Sequence, residues 1–303
     1  MSSMMNRRTF TKTVAAGLTA AAVPDWAAAQ SKRLHIGITM LIWGALPRTP
    51  EKLEPALKDA TELGYHKFET FASVLEDWDK KGTLRALLEK YPLPLRSAFV
   101  TVNVTDPAVR KDQIAMLQRY CAVMKKYGGS YIVQSPNGPR TASFNFAEHR
   151  TNIISALNDY GMAVNDAGLG TGLHQHTGTA VETRDETYAV LEAVDTRYMK
   201  FAPDIGQAQK GGADAAQVVK DFASIIDHMH LKDWNGGEHM LGYCPLGQGK
   251  VDLKSVLETM EKANPSASIM HELDGSDNMP LTPRQTAEIG KKYCQSLGYT
   301  FRT

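Results

Sequence analysis

The sequence has few cysteines and no excess of charge of either sign. Its 303 residues include Cys121, Cys244 and Cys294, whose odd number and wide spacing exclude a zinc or disulfide framework and allow one disulfide at most. The 34 basic and 33 acidic residues give a formal net charge of +1. A chain this close to neutrality lacks the strong electrostatic attraction typical of nucleic-acid and anionic-lipid binders.

Long apolar runs and glycine-rich phosphate loops are also missing. No stretch approaches the roughly 20 apolar residues that a membrane-spanning helix needs. Residues 42–47, which begin at the end of the first predicted strand, do not form a glycine-rich turn of the dinucleotide-binding kind. We therefore expect no membrane association of the mature protein and no dedicated phosphate site.

The first 29 residues have the organisation of an export leader. The pair Arg7-Arg8 is followed by an uncharged, alanine-rich run over residues 13–23 and by small residues ending at Ala29. An amphipathic helix is the alternative, but this run has no charged face. We predict a twin-arginine signal peptide at 1–29, read by the twin-arginine export machinery, and a periplasmic or secreted mature chain. That chain has 31 basic and 32 acidic residues, a formal charge of −1.

Short β-rich segments alternate with longer helical segments along the remaining chain. The predicted strands are residues 34–43, 67–71, 95–102, 130–134, 172–176, 199–204, 228–231 and 268–272. The predicted helices are residues 50–63, 83–90, 108–127, 146–167, 183–194, 213–222, 253–263 and 282–297. Eight such units, with no linker between them, predict an α/β fold: a single-domain (β/α)8 TIM barrel over 30–303. A doubly wound open sheet is the alternative.

Local signals fix several boundaries of these elements. Thr49, Asp106 and Thr282 each precede a proline and are predicted to cap a helix whose first turn tolerates that proline. No segment has the pattern of a β-hairpin.

Good metal donors stand at the ends of four consecutive predicted strands. His174 and His176 end the fifth strand, Asp204 the sixth, His230 the seventh and Glu272 the eighth. Taken singly, such a histidine is more often a hydrogen-bonded core residue, and such an aspartate a helix cap. Their joint occurrence at one barrel rim favours a catalytic metal site. Imidazole and carboxylate donors suit Mn, Co, Zn or Fe, and we favour Mn or Co.

The order of motifs resembles the xylose isomerase-like sugar isomerase/epimerase superfamily. The motifs are His230-Leu231-Lys232-Asp233, then Gly247-Gln248-Gly249-Lys250-Val251-Asp252, then a last strand ending in Glu272. The segment from Tyr65 to Glu69 is similar to the second strand of that family. The likeness covers residues 33–300, and it implies a divalent metal cofactor and a small carbohydrate substrate.

The fifth strand departs from the ketose epimerases of this superfamily. Those enzymes place a glutamate where this chain has His174, whereas residues 174–183 are similar to inosose dehydratases, which also carry a His-x-His-x-Gly-Thr segment. The resemblance implies His174, Asp204, His230 and Glu272 as metal ligands. His176 lies on the same side of the strand as His174 and is either a ligand or a substrate contact.

Loss of one metal-bound carboxylate removes the symmetric proton exchange of the family's epimerases. Glu272 is then the single base that removes a proton α to a carbonyl, and His176, Lys232 or Glu69 is the second catalytic group. Two outcomes stay open, namely isomerisation or epimerisation of a keto-sugar or related polyol, and β-elimination from a keto-sugar, keto-glycoside or inosose. The alternative for Lys232 and Asp233 is a surface pair that opens a loop, and the alternative for Glu69 is a position that does not touch the site.

Two further functional classes share this fold. A metal-dependent endonuclease of the abasic-site type needs more ligands and a basic groove, which the near-neutral charge argues against. A non-catalytic sugar-binding barrel would need no metal. Trp43, Phe71 and Trp234 are interpreted as either sugar-stacking or packing aromatics, and Asp233 as a group that orients an imidazole. Nothing in the sequence indicates the oligomeric state.

Overall fold

In the described part of the chain, ten strands form a parallel barrel and one hairpin. The computed structural model describes residues 32–44, 49–138, 140–275 and 279–303, so the predicted leader lies outside the described residues. The barrel strands are β1 (Ile36–Thr39), β2 (Phe68–Phe71), β3 (Leu95–Val102), β4 (Tyr131–Pro136), β5 (Gly170–Leu173), β6 (Lys200–Phe201), β7 (His228–Leu231) and β10 (Ser268–His271). The hairpin strands are β8 (Asp233–Trp234) and β9 (Tyr243–Cys244).

The eight barrel strands are all parallel and close on themselves. Their order is β6-β5-β4-β3-β2-β1-β10-β7. The two end strands are joined by parallel bridges between Phe201 and Ile226 and between Asp204 and His230. The predicted TIM barrel is therefore confirmed, because an open doubly wound sheet would leave these two edges apart.

Ten helices surround the barrel in the described part of the chain. They are α1 (Pro50–Glu62), α2 (Ala72–Lys81), α3 (Leu84–Lys90), α4 (Arg110–Lys126), α5 (Phe146–Asp166), α6 (Arg184–Leu191), α7 (Ile205–Lys210), α8 (Ala215–Phe222), α9 (Leu253–Ala263) and α10 (Pro283–Ser296). Among the described residues, no helix is both long and apolar enough to cross a membrane. The three cysteines are buried and free, so no disulfide forms.

Two of the three predicted caps form. Thr282 accepts a hydrogen bond from the amide of Gln285 within a reciprocal capping box, and Asp106 accepts one from the amide of Ala108. Helix α1 begins at Pro50 as predicted, but the side chain of Thr49 makes no capping hydrogen bond. The prediction that the Thr49 side chain caps the helix is therefore wrong. Thr49 does stand at the position directly before the helix, as predicted.

The absence of a hairpin was also a wrong prediction. Strands β8 and β9 pair antiparallel, with Asp233 opposite Cys244 and Trp234 opposite Tyr243. At the tip, Met240 and Leu241 adopt positive φ angles of 51° and 59°, a conformation that is uncommon outside glycine. Two-residue strands joined by a long connection leave no period-two pattern, so the sequence carries no hairpin signal.

Candidate active site

The four predicted metal ligands meet at the C-terminal mouth of the barrel. One donor atom each from His174, Asp204 and His230 lies within 4.8 Å of the other two. Oε2 of Glu272 lies 3.1 Å from Nδ1 of His230. All four side chains are buried. The residues come from the ends of β5, β6, β7 and β10, where the loops of a parallel barrel converge.

Hydrogen bonds fix which nitrogen each histidine offers to this site. Nδ1 of His174 lies 3.1 Å from the carbonyl oxygen of Ala202. A carbonyl can only accept, so Nδ1 carries the proton and Nε2 keeps its lone pair. Burial holds the pKa of His174 well below its ordinary value, and neighbouring His230 adds to this effect. His174 is thus a neutral imidazole, the form that binds a metal.

His230 has one committed nitrogen and one that lacks a hydrogen bond. Its Nε2 lies 2.7 Å from Oε1 of Glu69, whereas its buried Nδ1 makes no hydrogen bond of regular geometry among the described residues, although Oε2 of Glu272 lies 3.1 Å away. Burial opposes a charge on this ring, but Glu272 and Glu69 outweigh burial and raise the pKa of His230 well above its ordinary value. A divalent cation could replace the proton at Nδ1. The orphaned nitrogen and the mixed nitrogen–oxygen donor set therefore fit a divalent metal.

Glu69 contacts Nε2 of His230, and both oxygens of its carboxylate have polar partners. Its Oε2 lies 2.9 Å from Nε2 of His228 and accepts a 2.6 Å hydrogen bond from Oγ of Ser97. Burial would raise the pKa of Glu69, but His230 and His228 together hold it far below its ordinary value. A metal-binding histidine held by a carboxylate in this way has a fixed ring orientation and tautomer.

Lys232 is a fully buried cation beneath three carboxylates. Its Nζ lies 3.2 Å from Oδ2 of Asp204, 3.1 Å from Oε1 of Glu272 and 2.5 Å from Oδ2 of Asp274. Burial opposes its charge, but Asp204, Asp274 and Glu272 outweigh burial and raise the pKa of Lys232 well above its ordinary value. The lysine therefore stays protonated. Its aliphatic stem passes Gly206, where a Cβ would lie 2.8 Å from Cγ of Lys232.

His176 lies at the wall of the same cavity, with both ring nitrogens occupied. Its Nδ1 lies 2.7 Å from the carbonyl oxygen of Thr177, and its Nε2 lies 2.8 Å from Nε2 of Gln207. Because Oε1 of Gln207 accepts from the amide and hydroxyl of Thr177, the Gln207 amide nitrogen must donate to His176. His176 is thereby committed to a network away from the four clustered donors.

A cavity of about 260 Å³ opens above the clustered donors. Hydroxyls, two aromatic rings and carboxylates share its walls. The lining residues are Thr39, Met40, Leu41, Glu69, Thr70, Phe71, Phe99, Thr101, Ser135, Pro136, Gly138, His174, His176, Thr179, Glu272 and Asp274. Among the described residues that line it, no lysine or arginine occurs and every formally charged side chain is acidic. Such a cavity suits an uncharged polyol better than a phosphorylated or carboxylated one.

Of the three aromatic candidates, only Phe71 lines this cavity. Its ring lies edge-on to Phe99, with centroids 5.6 Å apart. Nε1 of Trp43 donates to Oδ2 of Asp59, and the ring of Trp234 lies under the side chain of Lys250. Trp43 and Trp234 therefore belong to the packing around the barrel.

Asp233 binds a loop instead of an imidazole. Its carboxylate accepts hydrogen bonds from the amides of Trp234, Gly247, Gly249 and Val251 at 2.9–3.2 Å. A Cβ at position 249 would lie 2.0 Å from Oδ1 of Asp233. The interpretation of Asp233 as an imidazole-orienting group is therefore wrong: the second glycine of the Gly-x-Gly-x-x-Asp segment leaves room for this carboxylate.

Sequence reasoning missed Asp274, Phe99, Ser97 and Gln207. Asp274 stands two residues after Glu272, so the same strand-end argument could have included it. The other three lie on neighbouring elements without a donor motif of their own. Their roles depend on contacts across the barrel interior, which a linear pattern does not contain.

Comparison with known proteins establishes the family. The family model described as xylose isomerase-like TIM barrel matches residues 57–296, and the chain belongs to this family. It is 25% identical over 217 residues to the inosose dehydratase of Mesomycoplasma hyopneumoniae strain J, covering 67% of this chain and 70% of that protein. The inosose dehydratase of Geobacillus kaustophilus is 25% identical over 192 residues, covering 59% of this chain and 61% of that protein.

Solved structures share the fold at low identity. The probable 3-DHS dehydratase AsbF from Bacillus anthracis has a TM-score of 0.70 at 14% identity, covering 86% of this chain and 99% of that one. The D-allulose 3-epimerase of Methylomonas sp. in complex with D-allulose has a TM-score of 0.69 at 18% identity, covering 88% and 99%. The IolI protein with a bound zinc atom has a TM-score of 0.68 at 17% identity, covering 88% and 98%.

The predicted family is thus confirmed, as is the broad class of enzyme, an isomerase, epimerase or lyase of this family. The clustered donors of the described residues support a divalent metal cofactor. These findings do not distinguish the type of reaction or the identity of the metal.

Proposed function

We propose that this protein is a divalent-metal-dependent dehydratase that removes the proton α to the carbonyl of a neutral keto-inositol or keto-sugar and expels the β-hydroxyl as water. The observation that carries the proposal is the asymmetry of the donor cluster. His174 occupies the place of a carboxylate in ketose epimerases. Of the two carboxylates among the four predicted ligands, Asp204 and Glu272, only Glu272 also lines the cavity. The similarity to inosose dehydratases supports the same choice.

His174, Asp204, His230 and Glu272 would hold the metal, with manganese or cobalt favoured over zinc or iron. When bound, the cation would act as a Lewis acid that polarises the substrate carbonyl. Glu69 holds the ring of His230 through Nε2 and keeps Nδ1 turned toward Glu272. Lys232 balances the charge of Asp204 and Glu272 from below.

Glu272 is the base in this proposal. Burial would raise its pKa, but His230 and Lys232 hold the pKa of Glu272 well below its ordinary value, so the carboxylate is ionised at neutral pH. The neighbouring cavity hydroxyls and the ring faces of Phe71 and Phe99 suit a polyhydroxylated ring. His176 forms part of the cavity wall, where Thr177 and Gln207 hold both of its ring nitrogens.

Isomerisation or epimerisation is the second candidate. It begins with the same proton removal by Glu272, and a second group returns a proton instead of losing a hydroxyl. His176 lines the cavity and would be that group only if the substrate displaced Gln207 or the Thr177 carbonyl from its ring nitrogens. Dehydration lowers the mass of the product by one water, whereas isomerisation or epimerisation removes no water, so the mass of the product distinguishes the two candidates.

The test is an assay of the purified protein with a panel of inososes and keto-sugars in deuterated water. We expect a product that has lost the elements of water, exchange of the α-hydrogen for deuterium in recovered substrate, loss of turnover on chelation, and recovery with Mn or Co. Glu272→Gln should keep the fold and lose proton exchange by roughly 10²-fold or more. Normal exchange by that variant would show that Glu272 is not the base. Exchange that survives complete chelation would exclude the metal dependence.

We also propose that residues 1–29 direct export by the twin-arginine route. The paired arginines, the uncharged alanine-rich run and the small residues before Gln30 support this. A periplasmic or extracellular enzyme would meet free or glycosidic sugars, which agrees with a cavity whose described lining carries no cationic side chain.

A further inference from the structure

We propose that Ser135 is a specificity-determining residue that binds a ring hydroxyl of the substrate on the side of the cavity opposite the base Glu272. The inference rests on the proposed function and narrows its substrate class. The substrate is a neutral ring that carries a hydroxyl on the carbon opposite the one that loses its proton. Ser135 takes no part in proton transfer and selects the substrate through one hydrogen bond.

The order of the strands places Ser135 across the barrel from Glu272. Ser135 lies in β4, and Glu272 directly follows β10. In the closed barrel, β3, β2 and β1 separate β4 from β10 on one side, and β5, β6 and β7 separate them on the other. Both residues line the same cavity. A ring that presents its α-carbon to Glu272 therefore turns its opposite carbon toward Ser135.

The strand register shows that the side chain of Ser135 points into the barrel. Ser135 pairs with Thr101 of β3. On its other side, the amide of His174 donates to the carbonyl of the residue before Ser135, which places His174 next to Ser135. Side chains in one row of a parallel sheet project from the same face. The ring of His174 projects inward, with its centroid 4.6 Å from that of His230, so Ser135 also faces the interior.

The hydroxyl of Ser135 is available to a ligand. Ser135 is 3% exposed and lines the cavity, and its side chain makes no hydrogen bond with another described residue. Thr179, which lines the same cavity, donates instead to two carbonyl oxygens of its own loop. The hydroxyls of Thr39 and Thr70 also lack partners, but both oxygens are buried beneath the cavity surface. The hydroxyls open to a substrate on this wall are therefore those of Ser135 and, at the exposed rim, Thr101.

The surrounding wall offers a substrate hydroxyl few other partners. Phe71 and Phe99 pair in the next row toward the interior, and no described cavity residue of β3 or β4 has a charged side chain. A ring hydroxyl directed at this wall leaves water and needs a new partner, which Ser135 supplies. An analogue without that hydroxyl would leave Ser135 buried and unpaired, which weakens its binding. The wall therefore favours a neutral hydroxyl over a hydrogen, a phosphate or a carboxylate at this position.

The test compares two ketones on the metal-loaded wild type and on Ser135→Ala. One is an inosose, and the other is the same inosose without the hydroxyl on the carbon opposite the one that exchanges its hydrogen in deuterated water. The wild type should prefer the hydroxylated ketone by roughly 10–100-fold in kcat/KM. Ser135→Ala should lose most of this preference, because it acts more slowly on the inosose and at a near wild-type rate on the deoxy ketone. Ser143→Ala, at an exposed position in the loop after β4, is the matched control.

Three results would overturn the inference. They are a wild type that treats the two ketones alike, a Ser135→Ala variant that keeps the wild-type preference, and loss of bound metal from that variant, which would mean that Ser135 supports the donor cluster. Ser135→Cys, whose thiol is a weak donor, is read in the same way if the alanine variant does not fold.

Calorimetric binding of the two ketones separates this inference from the proposed function. A preference in binding without any turnover would exclude dehydration and keep the hydroxyl subsite at Ser135. Turnover without a preference would keep dehydration and exclude the subsite. If neither ketone binds, the proposed substrate class fails and this inference falls with it.

Discussion

His230 is the residue whose two ring nitrogens connect the donor cluster to the barrel interior. Nε2 contacts Glu69, and Glu69 contacts His228 and Ser97 in the layer below. Because β2 and β7 are not neighbours in the barrel, these contacts cross its interior. The position of Nδ1 therefore depends on residues that touch neither metal nor substrate.

Replacing Glu69 by glutamine should weaken metal binding without unfolding the protein. The amide keeps the size of the side chain but cannot hold His230 through a charged hydrogen bond, so we expect the metal dissociation constant to rise roughly 10–100-fold. The measurement is calorimetric titration of the apoprotein with Mn or Co. Glu288→Gln, at a half-exposed site on α10, is the control. Equal affinities of Glu69→Gln and the wild type would exclude a positioning role for Glu69.

Individual site residues could be predicted from the sequence where a strand ends in a possible metal-binding side chain. His174, Asp204, His230 and Glu272 were predicted in this way, and the structure places their side chains together; their role as metal ligands stays a prediction. Asp274 was missed because it follows β10 in irregular backbone, where alternation no longer tells which side chain faces the cavity. The tautomers of the histidines also depend on partners distant in sequence, such as Ala202 and Glu69.

At the scale of elements, the loop over residues 247–251 is joined to the hairpin by one carboxylate. Asp233 begins β8 and accepts amides of Gly247, Gly249 and Val251. Burial raises the pKa of Asp233, although the backbone amides oppose that effect. The segment after β7 is thereby ordered by hydrogen bonds where its strands are only two residues long.

Substituting Gly249 by alanine should lower stability, because a Cβ would overlap the Asp233 carboxylate. Displacing the loop would leave the buried amide of Val251 and the buried carboxylate of Asp233 without these hydrogen bonds, at a cost of about 1–3 kcal/mol for each unpaired group. A thermal melt followed by circular dichroism measures the loss. Gly82→Ala is the control, since its Cβ would meet no atom within 4 Å and only its positive φ opposes the change. If Gly249→Ala is no less stable than Gly82→Ala, Asp233 does not order this loop.

The barrel strands were predictable because parallel strands buried on both faces appear as short apolar segments between helices. Other elements were not. The sixth strand is limited to Lys200–Phe201, since Pro203 has no amide to donate and Asp204 already caps α7. Helix α2 was missed because it follows β2 directly, without a capping residue at its start.

At the scale of the whole molecule, the export proposal makes a prediction that is independent of catalysis. Changing Arg7 and Arg8 together to lysine keeps the charge of the leader but removes the twin-arginine pair. We expect the variant to remain in the cytoplasm as the full-length chain, because the export machinery reads the arginines themselves. Fractionation, with N-terminal sequencing of exported protein, is the measurement, and the wild type should begin at Gln30.

Arg33→Lys is the matched control, since it makes the same exchange four residues after the predicted cleavage site. Export of the paired-lysine variant at the wild-type level would exclude the twin-arginine route. A wild-type chain that keeps its first 29 residues would exclude cleavage after Ala29. The route also links location to the metal: a protein exported after folding can acquire its cation in the cytoplasm. Protein isolated from the periplasm without added metal should therefore already contain the ion that its donor cluster selects.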